Sequence, residues 1–209
     1  MWNNQKISKE MSLSLQIETA IAVCETPCSE TELSDCEKER FLNLGSAARK
    51  LSWLRGRAAL KQLLQYYGEK KDTSRVVFPN PNYSLTHSGR YAIAAGCKNP
   101  NQGIGIDYEV DRYPRNEAMR FFLTSDEMDS INNLSESSKK NHLLRLWTVK
   151  EALFKSNLEN SNTWYTEYVL KNPLDIVGEA FWPVSDKQFR YASVKTEKGY
   201  ISMAIHKGL

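Results

Sequence analysis

Between Glu37 and Tyr67, apolar residues return at three- and four-residue steps, at Phe41, Leu44, Ala48, Leu51, Leu54, Ala58, Leu60 and Leu64. That spacing predicts a helix, or a helix pair, with one face against a core, and Gly45 and Gly56 as its weak points. A second long helix is expected over Lys139 to Leu158, where Leu143, Leu146, Val149 and Leu153 form the apolar side. Aligned on Trp53 and Trp147, the two stretches place Ala58 with Ala152, Leu60 with Phe154 and Lys61 with Lys155. Each is followed downstream by a strand of similar type, Tyr91-Ala-Ile-Ala-Ala and Tyr200-Ile-Ser-Met-Ala. The expectation is an α+β protein of two similar α/β lobes in a pseudo-twofold arrangement, residues 1–100 and 101–209, with the active site at their interface. Chance similarity is the alternative to this internal echo.

The remaining elements follow from local signals. A polar leader of about a dozen residues precedes a strand over Leu13 to Cys24, then an acidic loop or short helix over Ser29 to Lys38. Pro79-Asn-Pro-Asn marks a turn, and Tyr83–Leu85 with Tyr91–Gly96 reads as a hairpin about Ser88-Gly89. A strand is expected at Gly103 to Val110, and helical segments at Asn116–Phe122 and Asp126–Leu134, with Ser125 as N-cap.

With 209 residues and a 41% hydrophobic share, the chain can bury a core of its own. A net charge of +3 is far from the strongly basic balance of a nucleic-acid binder. No apolar run approaches the roughly 20 residues that span a bilayer, and the opening is polar, so neither export nor a membrane span is expected. Cys24, Cys28 and Cys36 have poor zinc spacing and no nearby histidine, and Cys97 stands apart. Free thiols in a reducing cytoplasm are the reading over zinc or a disulfide.

Three segments carry chemistry. In Gly103-Ile-Gly-Ile-Asp107-Tyr-Glu109, strand alternation sends Ile104, Ile106 and Tyr108 to one face and Gly103, Gly105, Asp107 and Glu109 to the other. Glycines on the acid face leave room for a ligand or a second backbone. Two acids there suit a hard cation such as magnesium, which keeps positions open for water and phosphate oxygens. A solvated strand end is the alternative, and Asp111 beside Arg112 reads as a surface pair. In Trp147-Thr-Val-Lys150-Glu151-Ala-Leu-Phe-Lys155, four-residue steps align Trp147, Glu151 and Lys155. Glu151 could complete the metal ligation or take a proton from an incoming hydroxyl, while Lys150 and Lys155 neutralise phosphate charge. An ordinary exposed Glu–Lys helix pair is the competing reading. In Ser84-Leu-Thr86-His87-Ser-Gly, hydroxyls, an imidazole and a glycine suit a phosphomonoester, or else a turn histidine bonded to backbone.

Taken in order, these segments resemble the 4′-phosphopantetheinyl transferases of the two-lobed, surfactin- and enterobactin-pathway kind. Weaker likenesses lie at Arg49-Lys50 through Gly56-Arg57-Ala58 and at Phe121-Phe122 before Glu127, so the resemblance runs from about Glu37 to Lys155. It implies a magnesium-dependent enzyme that moves phosphopantetheine from coenzyme A to a serine of an apo acyl or peptidyl carrier protein, releasing adenosine 3′,5′-bisphosphate. On matching positions Asp107, Glu109 and Glu151 would hold magnesium, with Glu151 also the base for the carrier serine. His87 would meet the 3′-phosphate, Lys155 the pyrophosphate and leaving group, and Arg49 a coenzyme A phosphate, with Thr86 and Lys150 among the coenzyme A-binding residues. An internal duplication would make a monomer sufficient. The chain departs from the family where Phe78-Pro79-Asn80-Pro81 replaces a Gly-Lys/Arg-Pro element. A silent coenzyme A- or carrier-binding relative and a magnesium-dependent phosphohydrolase are the alternative functions.

Overall fold

The computed structural model describes residues 3–98, 103–110 and 114–207. Asp111, Arg112 and the expected lobe boundary at 100 and 101 lie outside the described residues. The expected polar leader is instead a helix, α1 (Asn4–Leu15), capped by the Asn3 side chain and burying Ile7, Met11 and Leu15 at four-residue steps. Its apolar stripe is only one residue wide, which is why the segment reads as polar. The strand expected from Leu13 is accordingly shortened to β1 (Thr19–Cys24).

The helical stretch that follows is a pair, α2 (Asp35–Leu42) and α3 (Ala47–Tyr66). Gly45 falls in the break between them, whereas Gly56 stays inside α3. The hairpin β2 (Tyr83–Ser88) and β3 (Tyr91–Cys97) completes an antiparallel sheet in the order β1-β3-β2. A second antiparallel sheet begins with β4 (Ile104–Val110). After a 3-10 turn at Asn116–Phe121 come α4 (Ser125–Asn132) and α5 (Glu136–Ser156). The cap of α4 is Thr124 rather than Ser125. Its hydroxyl accepts from the Glu127 N–H while Glu127 accepts from the Thr124 N–H, so two orphan donors are satisfied reciprocally. Strands β5 (Val169–Leu170), β6 (Val177–Trp182), β7 (Lys187–Lys195) and β8 (Gly199–His206) finish the sheet in the order β4-β8-β7-β6-β5.

Strand alternation sorts the core into layers. Ala20, Ala22, Ala92 and Ala94 face Ala59, Leu60, Leu63 and Leu64 of α3. On the opposite faces Ile21, Ile93 and Ala95 meet Ile104, Ile106, Tyr108, Ile201 and Met203 in one shared core, closed by α1. The outer face of the second sheet packs Tyr191, Phe189 and Ala204 against Leu146, Val149 and Leu153 of α5. Each such aliphatic side chain taken fully out of water contributes about 1.5–3 kcal/mol.

In both sheets the last strand in sequence lies between the first strand and the penultimate one. Both helix pairs also carry a buried Glu–Lys bridge. Lys61 of α3 meets Glu37 of α2 at 2.7 Å, and Lys150 of α5 meets Glu127 of α4 at 2.7 Å. In each case the glutamate also caps its own helix. This correspondence sets Lys61 against Lys150, five positions away from the register obtained by aligning Trp53 with Trp147.

No helix among the described residues is long and apolar enough to cross a membrane. Cys24, Cys28, Cys36 and Cys97 are free thiols. Burial, with Cys28 alongside, pushes the Cys24 thiol up to about 11.

Candidate active site at the sheet seam

The two sheets meet edge to edge where β2 runs beside β4, and the seam is stitched by side chains. Ser84 Oγ accepts from the Ile106 N–H at 3.0 Å, Thr86 Oγ1 donates to Asp107 Oδ1 at 2.8 Å, and Ser88 Oγ donates to Glu109 Oε2 at 3.2 Å. The alternation of Ser84-Leu-Thr86-His87-Ser88 explains this: every second residue turns its hydroxyl to β4, and Leu85 and His87 turn towards α3.

The acid face of β4 packs under α5. A Cβ on Gly105 would fall 1.8 Å from the Ala152 carbonyl oxygen, so only glycine admits the helix backbone this close. Two residues on, Asp107 is 4% exposed and comes to rest beside the last turns of α5. Lys155 Nζ donates to Asp107 Oδ1 at 2.7 Å and to the Ile106 carbonyl at 3.3 Å, and lies 3.9 Å from Glu151 Oε2. The ammonium thus stands between two carboxylates contributed by separate elements.

Glu151 is half-buried, and loss of solvent holds its carboxyl above the ordinary glutamate range. Lys155 and the Tyr165 hydroxyl pull it down, while the charges of Asp107 and Glu109 push it further up. Asp107 Oδ2 is buried without a hydrogen-bond partner, and an orphaned carboxylate oxygen inside a protein calls for a cation. An all-oxygen donor set is what a hard divalent cation selects. Among the described residues no three such side chains are drawn together into a closed metal-binding group. The residues therefore fit magnesium in donor type, as an open site whose carboxylates are held in part by Lys155, Thr86 and Ser88.

His87 lies on the α3 side of the seam. A Cβ on Gly56 would approach its Nε2 to 2.8 Å, so the glycine expected to weaken α3 is what seats the imidazole. Crowding against the helix pushes the His87 pKa down. A backbone hydrogen bond at Ser52 opposes this, and the cations Lys155, Arg57 and Arg55 reinforce it. Arg49 is exposed in the first turn of the same helix.

Two expectations need correction. Lys150 does not join Glu151 as a second phosphate cation. Its side chain is fully buried on the other side of α5, donating to Glu127 at 2.7 Å and to the Tyr168 carbonyl at 2.5 Å. Adjacent positions on a helix point about 100° apart, and here the turn sends Lys150 into the core. Thr86, likewise buried, commits its hydroxyl to Asp107 and orients that carboxylate instead of facing an anion.

Other site residues escape a reading of the sequence. Tyr165 donates its hydroxyl to Glu151 Oε1 at 2.8 Å from a separate turn. A cavity of about 350 Å³ beside Lys155 is lined by Phe78, Pro79, Ser84, Leu85, Phe154 and Asn160. The Phe78-Pro79 pair that departs from the family pattern is thus a wall of this cavity. A larger cavity of about 480 Å³, bounded by Glu69, Lys70, Asp72 and Arg75, touches none of the clustered carboxylates. Size alone therefore does not mark the site.

Residues 103–170, the segment that holds Asp107, Glu109, Glu151 and Lys155, match the family model of the 4′-phosphopantetheinyl transferase superfamily. Among curated proteins it is similar to 4′-phosphopantetheinyl transferase Sfp of Bacillus subtilis (strain 168), with 27% identity over 77 residues. That match spans 37% of this chain and 33% of the relative's length. His87 and Arg49 precede residue 103, so their likeness rests on the sequence motifs.

Proposed function

We propose that the protein is a magnesium-dependent 4′-phosphopantetheinyl transferase that modifies a serine of an apo acyl or peptidyl carrier protein. The observation that carries this reading is the meeting of Asp107 and Glu151 on Lys155 at the seam, within the segment that matches the superfamily. In the reaction the carrier serine oxygen forms a bond to the β-phosphorus of coenzyme A. The bond from that phosphorus to the bridging oxygen breaks, and adenosine 3′,5′-bisphosphate leaves. The serine proton passes to Glu151, whose carboxylate is raised in basicity by loss of solvent. Lys155 neutralises charge on the pyrophosphate and the departing oxygen. Magnesium held by Asp107, Glu109 and Glu151 would supply further neutralisation of the phosphate oxygens. His87 and Arg49 are assigned to the 3′-phosphate and a neighbouring phosphate of coenzyme A, and the cavity beside Lys155 offers that substrate room.

The finer architecture belongs to the same reading. Two lobes, 1–100 and 101–209, related by a pseudo-twofold axis are supported by the like placement of the last strand in each sheet and by the paired Glu–Lys bridges, and a monomer in the cytoplasm is part of the same proposal. The test is incubation with coenzyme A, magnesium and a panel of apo carrier proteins. A mass gain of about 340 Da on the carrier, lost on chelation by EDTA, is the expected result. Release of products from coenzyme A without any carrier would favour a phosphohydrolase, and binding without either reaction a silent relative.

A further inference from the structure

Glu151 has two oxygens with different surroundings. Oε2 lies on the Lys155 side, 3.9 Å from the ammonium, whereas Oε1 accepts a hydrogen bond from Tyr165 at 2.8 Å. Tyr165 comes from outside α5, in a short 3-10 turn at Tyr165–Glu167. That turn is fastened on both sides. The Trp182 indole donates to Glu167 at 2.9 Å, and the adjoining Tyr168 is fully buried, its hydroxyl bonded to Asn157 at 3.0 Å.

The tyrosine ring is also seated. It packs edge-on to Trp147, with centroids 5.4 Å apart, and tilted against Phe154 at 5.1 Å. Those residues stand four before and three after Glu151 on α5, so the ring lies across the turn that carries the carboxylate. Trp147 is backed in turn by Phe122 at 5.2 Å. A glutamate has three side-chain torsions, and a fixed donor on one oxygen removes most of that freedom while aiming the other oxygen at the seam.

We propose that Tyr165 is a positioning residue for Glu151: by binding Oε1 it presents Oε2 towards Asp107 and Lys155, where the cation and the carrier hydroxyl are handled. This rests on the transferase reading above. Tyr165 touches neither substrate nor metal in this scheme and acts only through Glu151.

The test is Tyr165→Phe, which keeps the ring packing and removes the hydroxyl. Mn²⁺, standing in for magnesium, is titrated directly into each protein and followed by electron paramagnetic resonance. Carrier labelling gives kcat and the KM for coenzyme A, and thermal unfolding gives Tm. The expected result is a Kd for Mn²⁺ raised about tenfold and a kcat lowered about tenfold, the range seen when a ligand's supporting partner is removed. KM for coenzyme A stays within about twofold and Tm is unchanged. Unchanged Mn²⁺ affinity and kcat overturn the inference, as does a loss confined to Tm, which would make the hydroxyl merely structural. Failure of the unaltered protein to label any carrier strikes the transferase reading instead. A tenfold difference in Mn²⁺ affinity between the two proteins would still leave the hold on Glu151 standing.

Discussion

At Gly105 the three nearest atoms to an added methyl are all backbone: the Ala152 carbonyl oxygen and carbon and the Ser156 nitrogen. None can swing aside as a side chain would. Gly105→Ala is expected to cost about 3 kcal/mol or more in a chemical-denaturation measurement, by forcing α5 off β4. Glu151→Gln is nearly isosteric and leaves that packing alone. It is expected to lower carrier labelling by about a hundredfold or more, with an unaltered circular-dichroism spectrum. Wild-type turnover by this variant would remove Glu151 from the chemistry. The residues a sequence reader singles out here, Asp107, Glu151 and Lys155, do converge, because the two- and four-residue periods of strand and helix set which side chains share a face. Tyr165 is different. It sits beyond the end of α5 with nothing local to mark it, and its contact with Glu151 exists only through the folded turn.

Helix α5 carries two lysines five positions apart with opposite fates. Lys150 is sealed against Glu127, and desolvation pulls its pKa down while the glutamate pulls it back up. Lys155 emerges at the seam, 27% exposed. Lys150→Met is therefore expected to destabilise the protein by about 3–5 kcal/mol, because it strands a buried carboxylate. Lys155→Met also takes a cation from buried Asp107, but Lys155 itself reaches solvent at the seam, so the substitution should lower Tm less than Lys150→Met while reducing labelling about tenfold or more. Equal effects of the two substitutions on Tm would contradict this division. Local sequence could not separate them, since each follows an apolar residue, Val149 or Phe154, and precedes a polar one, Glu151 or Ser156. The capping boxes Ser34/Glu37 and Thr124/Glu127 hold the glutamates that receive Lys61 and Lys150, and the structure sets the second cap one residue before the Ser125 expected from the sequence.

Across the whole molecule, all three histidines are held below their ordinary pKa of 6.5, His87, His142 and His206 alike, in each case chiefly through lost solvent. The folded protein then binds fewer protons than the unfolded chain as pH falls below about 6.5, and stability drops in that window. Glu151, whose pKa is raised, works the other way, one group against three. Denaturant midpoints should therefore be lower at pH 5.5 than at pH 7. An equal or higher midpoint at pH 5.5 would show that the histidines do not control this range.

The periodicities of 37–67 and 139–158, the hairpin at Ser88-Gly89 and the alternation of β4 were decided by the amino-acid sequence alone. Each depends on neighbours within one or two turns or strand steps. Tertiary structure alone decided that α1 is a helix closing the shared core, and that the hydroxyls of Ser84, Thr86 and Ser88 bind across the seam. It likewise decided that Lys150 is buried while Lys155 meets Asp107, and that Tyr165 holds Glu151. Those outcomes depend on which surfaces meet when two sheets and three long helices exclude water together, and residue spacing carries no record of that.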